Sequence, residues 1–173
     1  LTGFLGSGKT TLLKRVLSEN HGKKIAVIEN EFGEENIDNE ILVDDAGKEQ
    51  ILQLSNGCVC CTIREDLRNT LTMLAEKKRK GELDFERVVI ETTGLADPGP
   101  VAQTFFMDDE IAESYLLDSI LTLVDAKHAD SQLDSRQEAR RQIGFADQIF
   151  ISKTDIADEA TVNALVHRIK HMN

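Results

Sequence analysis

The 173-residue sequence has no apolar run near the ~18 residues that a membrane span needs. It shows no secretory signal, no internal repeat and no low-complexity stretch. It also lacks a surplus of positive charge: 20 basic residues against 31 acidic ones give a net charge of −11. That balance excludes the basic footprint of a nucleic-acid binder. The one basic run, Lys77-Lys78-Arg79-Lys80, precedes Gly81 at a predicted helix C-terminus, where cations favour the helix dipole. There is no initiator methionine, and the buried strand that should lead into a glycine-rich loop is expected to lie outside the sequence. The size suits one domain, residues 1–173, with a substantial core. No cysteine occurs outside one four-residue window, and three free thiols suit a reducing cytoplasm.

That window is Cys58-Val59-Cys60-Cys61, preceded by Gly57. A disulfide is poorly served by this spacing. Adjacent α-carbons lie ~3.8 Å apart, below the roughly 4.4 Å minimum of an unstrained bridge, and a third cysteine would be left over. Three ordinary buried cysteines are the competing reading, since free cysteine packs as a small hydrophobe. Their confinement to one window favours a metal instead, and soft thiolates select zinc, cuprous copper or iron–sulfur clusters.

Residues Gly3 to Thr10, GFLGSGKT, fit G-x-x-x-x-G-K-[ST] at every specified position. Such a loop turns successive backbone N–H groups inward around phosphates, and the following helix N-terminus adds positive potential. Lys9 supplies a charge to the β- and γ-phosphates, and Thr10 a hydroxyl to Mg²⁺. The candidate nucleotide contacts here are Gly3, Gly6, Ser7, Gly8, Lys9, Thr10 and Thr11. A second element, Glu91-Thr92-Thr93-Gly94, follows a buried strand. Ligands in such sheets bind beyond the carboxyl ends of the strands. Glu91 can there hold Mg²⁺ directly or through water, while Gly94 offers its N–H to a γ-phosphate.

Ser152-Lys153-Thr154-Asp155 resembles the N-K-x-D signature of guanine-nucleotide proteins, with serine in place of asparagine. A carboxylate at Asp155 can accept both N1–H and the 2-amino group of guanine, and the Lys153 stem can pack on the ring. Adenine would leave that carboxylate unpaired. The alternative reading is a helix cap at Asp155.

Apolar spacing predicts helices after the phosphate loop, over Ile63 to Leu74, Val101 to Met107, Ser135 to Ile143 and Val162 to Ile169. Strands are predicted at Lys24–Glu29, Ile51–Leu54, Arg87–Glu91, Leu121–Val124 and Gln148–Ile151. Residues 30–50 read as an acidic, irregular loop, and Pro98 and Pro100 as loop punctuation. The alternation implies an α/β fold, a doubly wound, mostly parallel sheet with helices on both faces.

Taken together these landmarks resemble the CobW family of metal-chaperone GTPases, in its YjiA-like branch, with a wider relation to the nickel-insertion GTPases of hydrogenase and urease maturation. The matching segments are the phosphate loop, Glu29 to Glu34, Gly57 to Cys61, Glu91 to Pro98, Val124-Asp125-Ala126 and Ser152 to Asp155. The resemblance implies a P-loop NTPase fold, GTP binding and hydrolysis, and Zn²⁺ or a similar metal on Cys58, Cys60 and Cys61. It makes Thr10 an Mg²⁺ ligand and Glu91 the Walker B acid, and puts Glu31 and Glu34 in the first switch as Mg²⁺ or water contacts. It further implies a client metalloprotein or cofactor-maturation enzyme, a nucleotide- or metal-linked dimer, and a C-terminal domain beyond Asn173.

Three thiolates leave one position of a tetrahedral zinc site for His21, His128, an acidic switch residue, water or a client ligand. Asp125 and His128 read otherwise as a strand-end cap and a surface histidine, and His167 with His171 as an exposed helix end. No glutamine adjoins Glu91 to Gly94 to position water, and no arginine finger can be assigned, so slow turnover is expected. The rival readings are a metal-binding or storage module with a degenerate nucleotide site, and a small-molecule kinase. The second gives no task to the thiols.

Overall fold

The computed structural model describes residues 1–30, 41–43, 49–54 and 62–173. Its strands are β1 (Thr2–Gly3), β2 (Ile25–Asn30), β3 (Ile41–Val43), β4 (Glu49–Leu54), β5 (Arg87–Glu91), β6 (Leu121–Asp125) and β7 (Gln148–Ser152). The helices are α1 (Lys9–Ser18), α2 (Thr62–Arg79), α3 (Pro98–Met107), α4 (Asp109–Ser114), α5 (Ala129–Ser135), α6 (Gln137–Gly144) and α7 (Glu159–Lys170). They fall into two compact units.

The first unit comprises Leu1–Lys14, Thr92–Pro98 and Asp118–Asn173. Its sheet has the order β1-β6-β7, all parallel, with Thr2 opposite Thr122 and Asp125 opposite Ser152. The second residue of β1, Gly3, is also the first of the phosphate loop. Val124, Ala126, Leu133, Ile143, Leu165 and Ile169 build the core between this sheet and α5, α6 and α7. Each of the valine, leucine and isoleucine side chains contributes about 1.5–3 kcal/mol on full burial.

The second unit comprises Arg15–Glu91 and Gly99–Leu117. Its sheet runs β3-β4-β2-β5, parallel except for the β3–β4 pair. Leu67, Leu71 and Leu74 form one face of α2 and pack with Ala26, Ile28, Phe85, Phe105 and Ile111. The basic run closes α2 as its charge suggests. Gly81 takes φ +75°, Lys78 donates to the Phe85 carbonyl at 2.5 Å, and its ammonium lies 4.8 Å from the Phe85 ring centre.

The α/β expectation holds in both units, with four local corrections. The predicted loop over residues 30–50 contains β3 and the first residues of β4; the apolar run Ile41-Leu42-Val43 finds a partner in β4. Pro98 and Pro100 open α3 rather than a loop, because proline lacks only an N–H that the first helical turn leaves unused. The helix predicted from Ser135 to Ile143 is α6, which starts after an extended Arg136 (φ −122°, ψ 117°), and α5 precedes it over residues read as no helix. Finally, α4 appears where no helix was read, capped by Asp108 accepting from the Ile111 N–H at 3.2 Å.

Candidate functional site

The first unit brings most of the predicted nucleotide residues together. Between β1 and α1 the chain turns through Gly6 at φ +73° and Gly8 at φ +97°, conformations that favour glycine. At Gly3 a Cβ would stand 2.4 Å from the Leu123 carbonyl oxygen and 2.7 Å from the Ser7 hydroxyl. The loop is thus fixed against β6 with no space for a side chain. Ser7 is fully buried, and its hydroxyl has no hydrogen-bond partner, an orphaned polar atom inside the cradle. Lys9 is 8% exposed; its ammonium donates to the Gly3 carbonyl at 2.9 Å and the Phe4 carbonyl at 3.3 Å. Thr10 and Thr11 expose their side chains at the start of α1, whose first turn carries no acid to oppose a bound anion.

Segment 92–97 lies against this loop within the same unit. The Thr92 N–H donates to the Leu1 carbonyl at 3.0 Å, and its hydroxyl to that of Thr2 at 2.9 Å. A Cβ on Gly94 would stand 2.5 Å from the Leu5 nitrogen and 2.7 Å from the Leu5 α-carbon. Only glycine permits that approach.

The base-recognition candidates close the arrangement. Ser152 donates its hydroxyl to the Ser7 carbonyl at 2.6 Å. Lys153 adopts φ +59°, uncommon for a non-glycine residue and typical of functional sites. Its ammonium donates to Asp125 Oδ2 at 2.6 Å. Asp125, only 2% exposed, also accepts from the Lys127 N–H at 2.8 Å and from His128 Nδ1 at 2.9 Å. Burial opposes ionisation of Asp125, but the Lys153, His128 and Lys127 donors outweigh it and hold the carboxyl below its ordinary range. These donors favour the strand-end cap over a metal-ligand role. Asp155 is exposed and does not cap α7; Asp158 does, accepting from the Thr161 N–H at 2.7 Å. The competing cap reading of Asp155 therefore falls.

In the second unit Glu91 ends β5 with 8% exposure. It stands in register with Glu29 of β2, so two carboxyl side chains leave the same face at the strand ends. Sequence reading paired Glu91 with no other acid. Cys58, Cys60, Cys61, Glu31 and Glu34 lie outside the described residues. Among the described residues no group of three or more potential ligands is placed to hold a metal. His167 and His171 do stack, with ring centres 4.4 Å apart, and His171 Nδ1 donates to the His167 carbonyl at 2.8 Å.

Two residues that hold segment 94–97 escaped sequence reading. Gln142, 1% exposed on α6, donates through Nε2 to the carbonyls of Gly94 at 3.1 Å and Ala96 at 3.0 Å. Its neighbour Arg141 pairs with the Asp97 carboxylate.

Among the described residues no helix is long and apolar enough to cross a membrane. A family model described as CobW/HypB/UreG, nucleotide-binding domain, matches residues 1–173. The zinc chaperone YjiA of Escherichia coli (strain K12) is 52% identical over 92% of this chain and 50% of its own length. Zinc-regulated GTPase metalloprotein activator 1 of Schizosaccharomyces pombe is 38% identical over 100% of this chain and 42% of its own. The crystal structure of Zn(II)-bound YjiA GTPase from E. coli superposes with a TM-score of 0.77 at 44% identity, covering 97% of this chain and 52% of that one. The chain spans about half the length of the curated relatives it matches. With residues 1–173 matched and the phosphate loop folded as such, the chain has a P-loop NTPase fold and belongs to the CobW/HypB/UreG nucleotide-binding domain family.

Proposed function

We propose that this chain binds GTP with Mg²⁺ and hydrolyses it slowly. Cys58, Cys60 and Cys61 hold Zn²⁺ or a similar thiophilic metal, and nucleotide state governs its delivery to a client metalloprotein or cofactor-maturation enzyme. The observation that carries the nucleotide half is the loop from Gly3 to Lys9. Its buried Ser7 hydroxyl lacks a partner, and the Lys9 ammonium rests on loop carbonyls. An entering phosphate offers both groups stronger, charge-assisted acceptors.

The exposed Thr10 hydroxyl in the first unit and the Glu91 carboxylate in the second are each hard oxygen donors of the kind Mg²⁺ takes, and the ion would supply neutralising charge on the phosphates. The chain's own residues do the rest. Backbone N–H groups of the loop and of α1 orient the phosphates, Lys9 neutralises the β/γ oxygens, and Asp155 selects guanine. Slow turnover follows from how the glutamine that reaches segment 92–97 among the described residues is used. Gln142 commits its amide to two carbonyls and leaves water unoriented.

The zinc half rests on three thiols in four positions and on the names of the relatives. Three clustered cysteines suit a reducing cytoplasm, and an arginine from a client or a dimer partner would accelerate hydrolysis. The test is a fluorescent-GTP titration with metal analysis of protein purified with a GTP analogue, repeated with Cys58, Cys60 and Cys61 changed to serine. Micromolar GTP binding and zinc lost on serine replacement are expected. Absent binding, or zinc content indifferent to the thiols, would overturn the reading.

A further inference from the structure

Gly94 is held from two sides. On one, its α-carbon rests against the Leu5 backbone, with no room for a Cβ. On the other, the Gln142 amide donates to the carbonyls of Gly94 and Ala96. Both targets are acceptors only, so chemistry requires the nitrogen end of the amide to face them. Gln142 is itself fixed: it is 1% exposed, and its backbone carbonyl accepts the Thr122 hydroxyl of β6 at 2.9 Å. One residue earlier on α6, Arg141 pairs with Asp97. Two successive side chains thus clamp segment 94–97, with a buried amide at one end and an exposed ion pair at the other.

We propose that Gln142 is a positioning residue for nucleotide-state discrimination, fixing the backbone of Gly94 so that its N–H stands ready for the γ-phosphate of a bound triphosphate. This rests on the nucleotide reading above. A diphosphate ends short of residue 94 and gains nothing from the clamp. A triphosphate meets a segment already ordered and avoids the entropy of ordering it. The selectivity of GTP over GDP is therefore set partly from α6, by residues that touch no nucleotide.

The test compares binding of a fluorescent non-hydrolysable GTP analogue and of fluorescent GDP to the intact protein, Gln142→Met and Arg141→Ala. Gln142→Met should bind the triphosphate about tenfold more weakly, the size of one or two ordinary hydrogen bonds, with GDP affinity unchanged. Arg141→Ala should lower the triphosphate-to-diphosphate ratio by a smaller factor. Its side chain is half-exposed, so it reads the clamp even if Gln142→Met folds poorly. Equal losses for both nucleotides would mark a merely structural role, and an unchanged ratio in both variants would show that the clamp does not act; either overturns the proposal. A wild-type protein that binds neither nucleotide would overturn the nucleotide reading as well, and so differs from failure of the clamp alone.

Discussion

The Ser152 hydroxyl donates to the Ser7 carbonyl at 2.6 Å and so joins the end of β7 to the phosphate loop. Serine here is shorter than the usual asparagine but keeps a donor on the loop. Its removal should loosen the loop beneath every phosphate alike. Ser152→Ala is expected to weaken GTP and GDP binding by a similar factor, about five- to tenfold for one lost half-buried hydrogen bond. Titration with both fluorescent nucleotides checks it, and unchanged affinities would show that the tie carries no function.

Asp155 separates base reading from folding. Because Asp158 caps α7, Asp155 is free of that duty and exposed. Asp155→Ala should lower GTP affinity by about tenfold or more, the scale of losing a charged hydrogen-bond partner, and leave ATP affinity and melting temperature unchanged. A fall in melting temperature without loss of GTP preference would return the residue to a structural role.

How far such roles can be read from sequence depends on the range of the forces involved. The phosphate loop was legible because its chemistry lies in eight consecutive residues. Strands β2, β5, β6 and β7 were legible because their apolar runs are continuous. Gln142 was not, since its partners lie 46 and 48 residues away and a lone glutamine in an amphipathic helix carries no local signal. Helix α5 was equally hidden, as only Ala129 and Leu133 of its seven residues are buried and no proline or glycine bounds it. The cap moved from Asp155 to Asp158 because both carry the same chemistry, and only the start of α7 distinguishes them.

Asp125 gives the fold a defined acid limit. Its carboxyl titrates below the ordinary 3.8 in the folded protein, so its pairing is fully present above that value and is lost as pH falls through the folded pKa. Asp125→Asn should destabilise the protein near neutral pH by about 1–3 kcal/mol. The gap from wild type should narrow below about pH 4. Denaturant unfolding at several pH values checks the sign, and a gap that widens in acid would contradict it.

Gly94→Ala places a methyl group 2.5 Å from the Leu5 backbone nitrogen, where neither partner has a flexible end to withdraw. A loss of about 1–3 kcal/mol is expected, with weaker binding of GTP analogues as the segment backs away from the loop. Calorimetry with nucleotide titration checks both effects, and a variant of wild-type stability and affinity would mean that the close approach is not needed.

The link between nucleotide and metal is tested most directly by zinc titration of the wild-type protein, once saturated with a non-hydrolysable GTP analogue and once with GDP. The expected result is a zinc affinity that differs between the two states by about 5- to 150-fold, the usual range of coupling between sites, with an equal reciprocal effect of zinc on the preference for GTP over GDP. Identical zinc affinities in the two states would contradict it.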